Sequence, residues 1–324
     1  VPPKVLATRI LPEAAVNILR QHCELEVHSE TVPLSKAQLI AKLSDKAGLV
    51  CQLTQVVDAE VLAAALQLRV VANVAVGYDN IDVAVATSRR IAVTNTPGVL
   101  DETVADFTWA LLLAAARRVV EADQFVRSGA WRGWDLHLLL GTDIHGKTLG
   151  IYGFGRIGRC VARRACGFAM RTLYCDPMPA PPEVEQELKA QRVDRETLLR
   201  EADFLSLHLP LTPQTYHCVS QPEFALMKPT AILVNIARGP IVDEAALVEA
   251  LEQGKLAGAA LDVFEDEPRV QPKLLTMKNV VLAPHLGSAA VETRTRMAVM
   301  AAENAVAVLK GERPPNIVNP EIYT

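Results

Sequence analysis

Three side chains of unlike chemistry follow short apolar runs in the second half of the chain: Arg238 in N-I-A-R-G-P, Glu267 in L-D-V-F-E-D-E-P and His285 in A-P-H-L-G-S. A guanidinium can grip a carboxylate through paired N–H···O bonds, a charge-assisted contact worth roughly 1.5 to 3 kcal/mol. An imidazole titrates in the range needed to protonate the oxyanion left when hydride adds to a ketone. A neighbouring carboxylate would favour the charged ring and fix its tautomer. Asp262, Glu265, Asp266 and Glu267 all stand in reach of that role along the sequence, and spacing does not choose among them. Each residue also has a bland explanation: Arg238 could pair with Asp243 or Glu244, and a lone histidine after an apolar strand is usually structural. Chemistry is favoured because His208, Asn235, Arg238, Asp262 and His285 all follow apolar runs, and parallel sheets bind ligands beyond the carboxyl ends of their strands.

A second constellation lies upstream. The run Leu149 to Tyr152 reads as a buried parallel strand, and Gly153, Gly155 and Gly158 then spell G-x-G-x-x-G at a helix start. The first glycine allows the tight turn, the second admits a pyrophosphate to the backbone, and the third lets helix pack on strand. Unpaired N–H groups and the helix dipole then favour the phosphates. Alone, this motif is weak. A second strand, Arg171 to Cys175, ends in Asp176, eighteen residues beyond Gly158, where the acid that binds the ribose is expected. That carboxylate would repel the extra phosphate of NADP by roughly 4 kcal/mol at about 4 Å. NAD is therefore the expected cofactor, NADP the less favoured one, with Arg171 a neighbour that could soften the preference.

The elements that must position these residues alternate along the chain. Apolar runs at 5–7, 25–28, 48–51, 70–74 and 91–94 read as strands, with helices near 12–21, 36–43, 59–66 and 83–89. Ser35, Asp58 and Asp82 are their expected N-caps. Thr96-Pro97-Gly98 closes this first α/β series. A single long helix is expected over Asp101 to Gly129, apolar on every face from Val104 to Val120, and so covered either between domains or at a subunit interface. The following loop carries Trp131 and Trp134, which favour partner contact. A second series then has six expected strands at 149–152, 173–175, 204–208, 232–235, 259–263 and 280–282, with the Pro-rich piece 176–183 as a surface loop. The last helix, about 289–309, is expected to cross back to the first series. The fold expected is α/β with two Rossmann-like parallel-sheet domains, one flavodoxin-like and one dinucleotide-binding, and a hinge cleft between them. Residues 1–99 with 288–324 would form the substrate domain and 100–287 the NAD-binding domain.

Bulk properties agree with this class. The 324 residues are half hydrophobic and 5% aromatic, as in an α/β enzyme with room for two cores. A net charge of -4 gives no reason to expect a nucleic-acid or membrane partner. Six cysteines without C-x-x-C spacing suit reduced thiols, and no metal site is expected. The opening residues carry no signal-peptide or lipidation pattern, so a cytoplasmic location is expected. The chain opens on Val1, so a short native piece is expected to precede it.

Over essentially its whole length the sequence resembles the D-isomer-specific 2-hydroxyacid dehydrogenases. The matching stretches are V-G-Y-D-N-I-D, T-N-T-P-G-V-L, G-F-G-R-I-G, H-L-P-L-T, N-I-A-R-G-P-I-V-D-E, L-D-V-F-E-D-E-P and P-H-L-G-S. The resemblance implies that Arg238 binds substrate, Glu267 pairs with His285, and His285 is the acid/base. It also implies that Asp262 orients the nicotinamide. Thr103, Arg156, Ile157, Leu209, Pro210, Thr215, Ile236 and Ser288 would contact the cofactor, and backbone N–H groups at Val76 and Gly77 the substrate carboxylate. Dimers would pair through the cofactor domain, the Trp131–Trp134 loop reaching toward the neighbour. Val76 stands where phosphite dehydrogenases carry lysine, Glu267 where formate dehydrogenases carry glutamine, and there is no room for the regulatory domain of many phosphoglycerate dehydrogenases. The W-x-G-W loop most resembles glyoxylate/hydroxypyruvate and 2-ketogluconate reductases, many of which prefer NADPH and carry basic residues where this chain has Asp176. The implied activity is reduction of a small 2-keto acid to the D-2-hydroxy acid. Alternatives are a 2-keto-D-gluconate reductase, or an NADH-sensing corepressor-like protein that keeps the fold without turnover.

Overall fold

The computed structural model describes all of residues 1–324. Contacts divide the chain into two compact units, Val1–Leu100 with Ala289–Thr324 and Asp101–Ser288. The first holds five strands, β1 (Lys4–Ala7), β2 (Glu24–Val27), β3 (Gly48–Cys51), β4 (Val70–Asn73) and β5 (Ala92–Thr94). They pair in parallel in the order β2-β1-β3-β4-β5, the flavodoxin-like order. Every residue of β3 and β4 is buried, as expected of strands covered on both faces. Helices α1 (Glu13–His22), α2 (Lys36–Leu43), α3 (Ala59–Ala64) and α4 (Val83–Ser88) flank the sheet. Ser35, Asp58 and Asp82 accept from the backbone N–H of Gln38, Val61 and Val85 and so cap three of them. The helix Val291–Leu309 belongs to this unit, where Ala298, Ala301, Ala302 and Ala305 pack with α1 and the inner strands.

The second unit departs from the sequence expectation chiefly in two places. The single helix expected over Asp101 to Gly129 is two helices, α5 (Asp101–Ala116) and α6 (Val119–Arg127), because Arg118 turns left-handed at φ 53°. A returning loop takes the end of α5: Thr142 N–H donates to the Ala116 carbonyl at 2.9 Å, and any Cβ on Gly141 would overlap that same oxygen. Arg118 then pairs with Glu121 at 2.8 Å. Whereas α5 buries Trp109, Leu111 and Leu112, α6 buries nothing. The other departure is the strand count.

The second sheet has seven strands, not six: β6 (Thr148–Tyr152), β7 (Arg171–Cys175), β8 (Ala190–Arg192), β9 (Phe204–Leu207), β10 (Ile232–Asn235), β11 (Gly258–Leu261) and β12 (Val280–Leu282). The added strand, β8, is a three-residue edge strand whose Gln191 and Arg192 are exposed, so it has no apolar run to announce it. The order β12-β11-β10-β9-β6-β7-β8 reverses direction between β6 and β9. Ligands of such sheets bind at that reversal, outside the carboxyl ends of the strands. Between strands lie α7 (Arg156–Ala165), α8 (Pro182–Leu188), α9 (Arg195–Glu201), α10 (Gln221–Leu226) and α11 (Glu244–Glu252). The expected loop 176–183 thus already enters α8 at Pro182, a residue whose fixed φ suits a first helical position. No helix is long and apolar enough to cross a membrane.

Candidate active site

Four polar loops follow β9, β10, β11 and β12. Behind β10, the side chain of Asn235, buried at 1% exposure, braces its own turn: Oδ1 accepts from Ala237 N–H at 3.1 Å and Nδ2 donates to the Arg238 carbonyl at 3.0 Å. Gly239 is pressed so closely on Phe264 that a Cβ there would overlap its backbone carbonyl. This seats Arg238 against the segment carrying Glu267, and its Nη1 donates to the Ala237 carbonyl at 2.8 Å.

The four acids that sequence spacing left equivalent have four different partners. Asp266 pairs with Arg269 at 2.5 Å, and Glu265 meets His217 Nε2 at 2.8 Å. Asp262 is fully buried and its oxygens accept the N–H groups of Leu286 and Gly287 at 2.6 and 2.8 Å. Glu267 meets His285: Oε2 lies 3.0 Å from Nδ1, while Oε1 accepts from Phe264 N–H at 3.1 Å. Burial alone would raise the Glu267 carboxyl; the hydrogen bond and charge of His285, the Phe264 amide and the Arg238 charge outweigh it and hold the group below its ordinary value. Glu267 therefore feels the charges of both His285 and Arg238.

His285 owes its placement to Asp262. Its backbone is left-handed at φ 55°, a region that costs a non-glycine residue about 1 to 2 kcal/mol. Its own N–H donates to the Asp262 carbonyl at 2.8 Å, and the next two amides wrap the Asp262 carboxylate as a nest of donors. Gly287 keeps this tight, since a Cβ would sit 3.3 Å from Asp262 Oδ2. Burial pushes the Asp262 carboxyl up while the two amides pull it down, and burial prevails. Asp262 thus serves the loop of His285 with both its oxygens. Sequence spacing carried no sign of this, because the partners are backbone groups.

At the reversal of strand order, Gly153 has φ 95° and a Cβ would stand 2.6 Å from the His208 carbonyl. Gly158 packs on the Gly153 carbonyl just as closely, whereas a Cβ on Gly155 would meet nothing within 4 Å. Gly155 is the N-cap of α7, so its backbone and the α7 amides face open space, the cradle that a pyrophosphate needs. The residues present fit a dinucleotide. Arg156 is exposed and Ile157 half-buried at this helix start, and Thr103 is half-buried on α5. Asp176 Oδ2 accepts from Phe154 N–H at 2.7 Å and Oδ1 from Met178 N–H at 2.9 Å, tying the acid to the glycine turn. Leu209 and Ile236 are buried at the ends of β9 and β10, Pro210 is exposed, and Ser288 ends the unit. Thr215 is absorbed locally, its hydroxyl donating to the Pro210 carbonyl at 2.6 Å.

Two expectations about neighbours change. Arg171 opens β7, whereas Asp176 follows its far end, roughly 16 Å away at about 3.3 Å per residue; Arg171 pairs instead with Glu201 at 2.5 Å. The cation beside Asp176 is Arg192, which sequence reading missed because it is distant in the chain. His208 bonds Ser206 Oγ through Nε2 at 2.8 Å, and burial pushes its ring down to about 3, so it stands neutral and structural. In the first unit, the carbonyls of Val76 and Gly77 accept from Asn95 and Asn73 side chains, each at 2.8 Å, which holds that turn in shape.

Residues 109–287 match the family model for the D-isomer specific 2-hydroxyacid dehydrogenase, NAD binding domain. The chain is 52% identical over 324 residues to the glyoxylate reductase of Thermococcus gammatolerans, covering 99% of this chain and 97% of that one. Identity to the glyoxylate reductase of Korarchaeum cryptofilum is 54% over 323 residues, with the same shares covered. Among solved structures, the NADPH-dependent glyoxylate/hydroxypyruvate reductase of Sinorhizobium meliloti, in complex with NADP and malonate, aligns with a TM-score of 0.87 at 33% identity, covering 98% of this chain and 97% of that one. With the glycine cradle at the strand reversal and the likeness running end to end, the chain belongs to the D-isomer specific 2-hydroxyacid dehydrogenase family, as an NAD(P)-dependent oxidoreductase.

Proposed function

We propose that this enzyme reduces a short 2-keto acid, glyoxylate or hydroxypyruvate, to the D-2-hydroxy acid, with NADH as the preferred reductant. The observation that carries the reading is the contact of His285 Nδ1 with Glu267 at 3.0 Å, on a carboxylate that also feels Arg238. The substrate class is supported by the two glyoxylate reductases and the glyoxylate/hydroxypyruvate reductase to which the chain is similar.

The glycine turn and the α7 amides would hold the pyrophosphate, and Asp176 the adenosine ribose. When bound, the reduced nicotinamide supplies a hydride to the substrate's carbonyl carbon. Arg238 grips the substrate carboxylate with its guanidinium fork and so orients the ketone. Glu267 occupies His285 Nδ1, which leaves Nε2 as the nitrogen that hands a proton to the forming alkoxide. The ionised Glu267 carboxylate stabilises the imidazolium before transfer and keeps the ring in one orientation. Asp262 holds the His285 backbone in place.

The loop after α6 exposes Trp134 at 83%, Leu136 at 65% and Leu140 at 61%, beside a groove of about 1190 Å³ lined by α6 and the segment 274–282 of the same unit. A second copy of the chain is the proposed cover for these apolar side chains, giving a homodimer through the cofactor unit. The six cysteines are all unpaired thiols, in keeping with a cytoplasmic protein.

The test is NADH consumption with glyoxylate, hydroxypyruvate and 2-ketogluconate, each also run with NADPH. His285→Ala should lower kcat by about 100-fold or more while NADH still binds, and Arg238→Ala should raise KM and lower kcat together. Unchanged turnover in His285→Ala overturns the assignment. Tight NADH binding with negligible turnover across the panel would favour the sensor instead.

A further inference from the structure

Arg192 stands at the end of the edge strand β8, opposite Tyr174 in register and so next to the end of β7. Its Nε and Nη2 donate to the Asp176 carbonyl at 3.2 and 3.0 Å, and Nη2 also to the Pro177 carbonyl at 2.9 Å. Two charges thus flank one residue. The Asp176 carboxylate turns toward the glycine loop through Phe154 N–H, and the Arg192 guanidinium sits on the same residue's carbonyl. These three hydrogen bonds go to carbonyl oxygens, which fix the guanidinium without neutralising it, and they leave Nη1 uncommitted. The side chain is exposed, so an anion can approach it.

This alters the electrostatics on which cofactor choice rests. A lone carboxylate at the ribose would repel a 2′-phosphate, which carries about -1.5 to -2 charges at neutral pH. Here the carboxylate is accompanied by a fixed cation, and the pair together has no net charge. The uncommitted Nη1 still carries two N–H donors, so it can donate to a phosphate oxygen while the guanidinium charge matches it in sign. We propose that Arg192 is the specificity-determining residue that admits the 2′-phosphate of NADPH beside Asp176, so that the site takes both nicotinamide dinucleotides. Asp176 sets the preference for NADH; Arg192 keeps NADPH within working range. The inference rests on the proposed function's assignment of the adenosine ribose to Asp176.

The experiment is direct binding, read from the fluorescence of NADH and NADPH on the full chain, with adenosine 2′,5′-bisphosphate and ADP as competitors that isolate the phosphate. In Arg192→Gln the ratio of the NADPH to the NADH dissociation constant should rise about tenfold or more, with the bisphosphate weakened in parallel relative to ADP. Arg192→Lys, which restores the charge but not the fork on the turn, should recover most of the loss. A ratio within about twofold of wild type in Arg192→Gln overturns the inference. So does a lysine variant no better than the glutamine one, since Arg192 would then act by holding the turn. Failure of the wild-type chain to bind NADH at all would overturn the dinucleotide reading itself, a result distinct from either of these.

Discussion

Replacing Asp262 by Asn tests how the loop of His285 is held. The change is nearly isosteric, yet an amide can present its oxygen to only one of the two donors, Leu286 N–H at 2.6 Å and Gly287 N–H at 2.8 Å. The other donor then faces the NH2 group in a buried site. Losing a hydrogen bond to a charged acceptor, with the buried donor left unsatisfied, costs about 1.5 to 3 kcal/mol. That matches or exceeds the roughly 1 to 2 kcal/mol by which a left-handed backbone is disfavoured at a non-glycine residue, so the restraint that keeps His285 at φ 55° is lost. A shift of about 1 Å in a catalytic group lowers turnover on the order of 100-fold. The expected result is therefore a kcat for glyoxylate reduction down about 100-fold, together with faster amide exchange at residues 285–287. Should Asp262 act chiefly on the nicotinamide, NADH affinity would fall while the exchange rates stayed put. Wild-type kcat with wild-type protection of those amides would refute the reasoning.

His208 is pushed down by burial from 6.5 to about 3, so the unfolded chain takes up a proton below pH 6.5 that the folded chain refuses. The contribution is fully present at pH 7 and declines as pH falls, by up to about 1.4 kcal/mol per unit, or about 2 kcal/mol at pH 5. His208→Gln removes that slope. Urea unfolding at pH 7 and pH 5 should show a larger loss for wild type than for the variant, and equal losses would count against a neutral, buried ring. For assembly, light scattering should find two copies per particle in wild type. Trp134→Ala should shift the equilibrium toward single chains on dilution; a wild type that is already monomeric would sink the homodimer.

Much of the architecture was legible in the order of residues. Strands buried on both faces leave continuous apolar runs, as in β3, β4, β9, β10 and β11, and these are the places where the chain shows them. The glycine turn after β6 was equally plain, because a φ of 95° at Gly153 and the close approach at Gly158 exclude other residues. Ser35, Asp58 and Asp82 could be read as caps because a cap is a bond between residues three apart. In each case the physical cause lies within a few residues of its effect.

Tertiary structure decided what depends on groups distant in the chain. The break at Arg118 needs the backbone of Thr142, and β8 exists only as the neighbour of β7, with no apolar run of its own. Arg171, close to Asp176 in sequence, is a strand's length away, whereas Arg192 is brought onto it by the pairing of two parallel strands. Four acids in the segment 262–267 looked alike in composition; folding sent one to loop amides, one to His217, one to Arg269 and one to His285. Residue order determined the sheets, the cradle and the stock of reactive side chains, since these follow from local sterics and burial. Which of those side chains meet, and with what charge beside them, was set by strand order and loop packing, which no local pattern encodes.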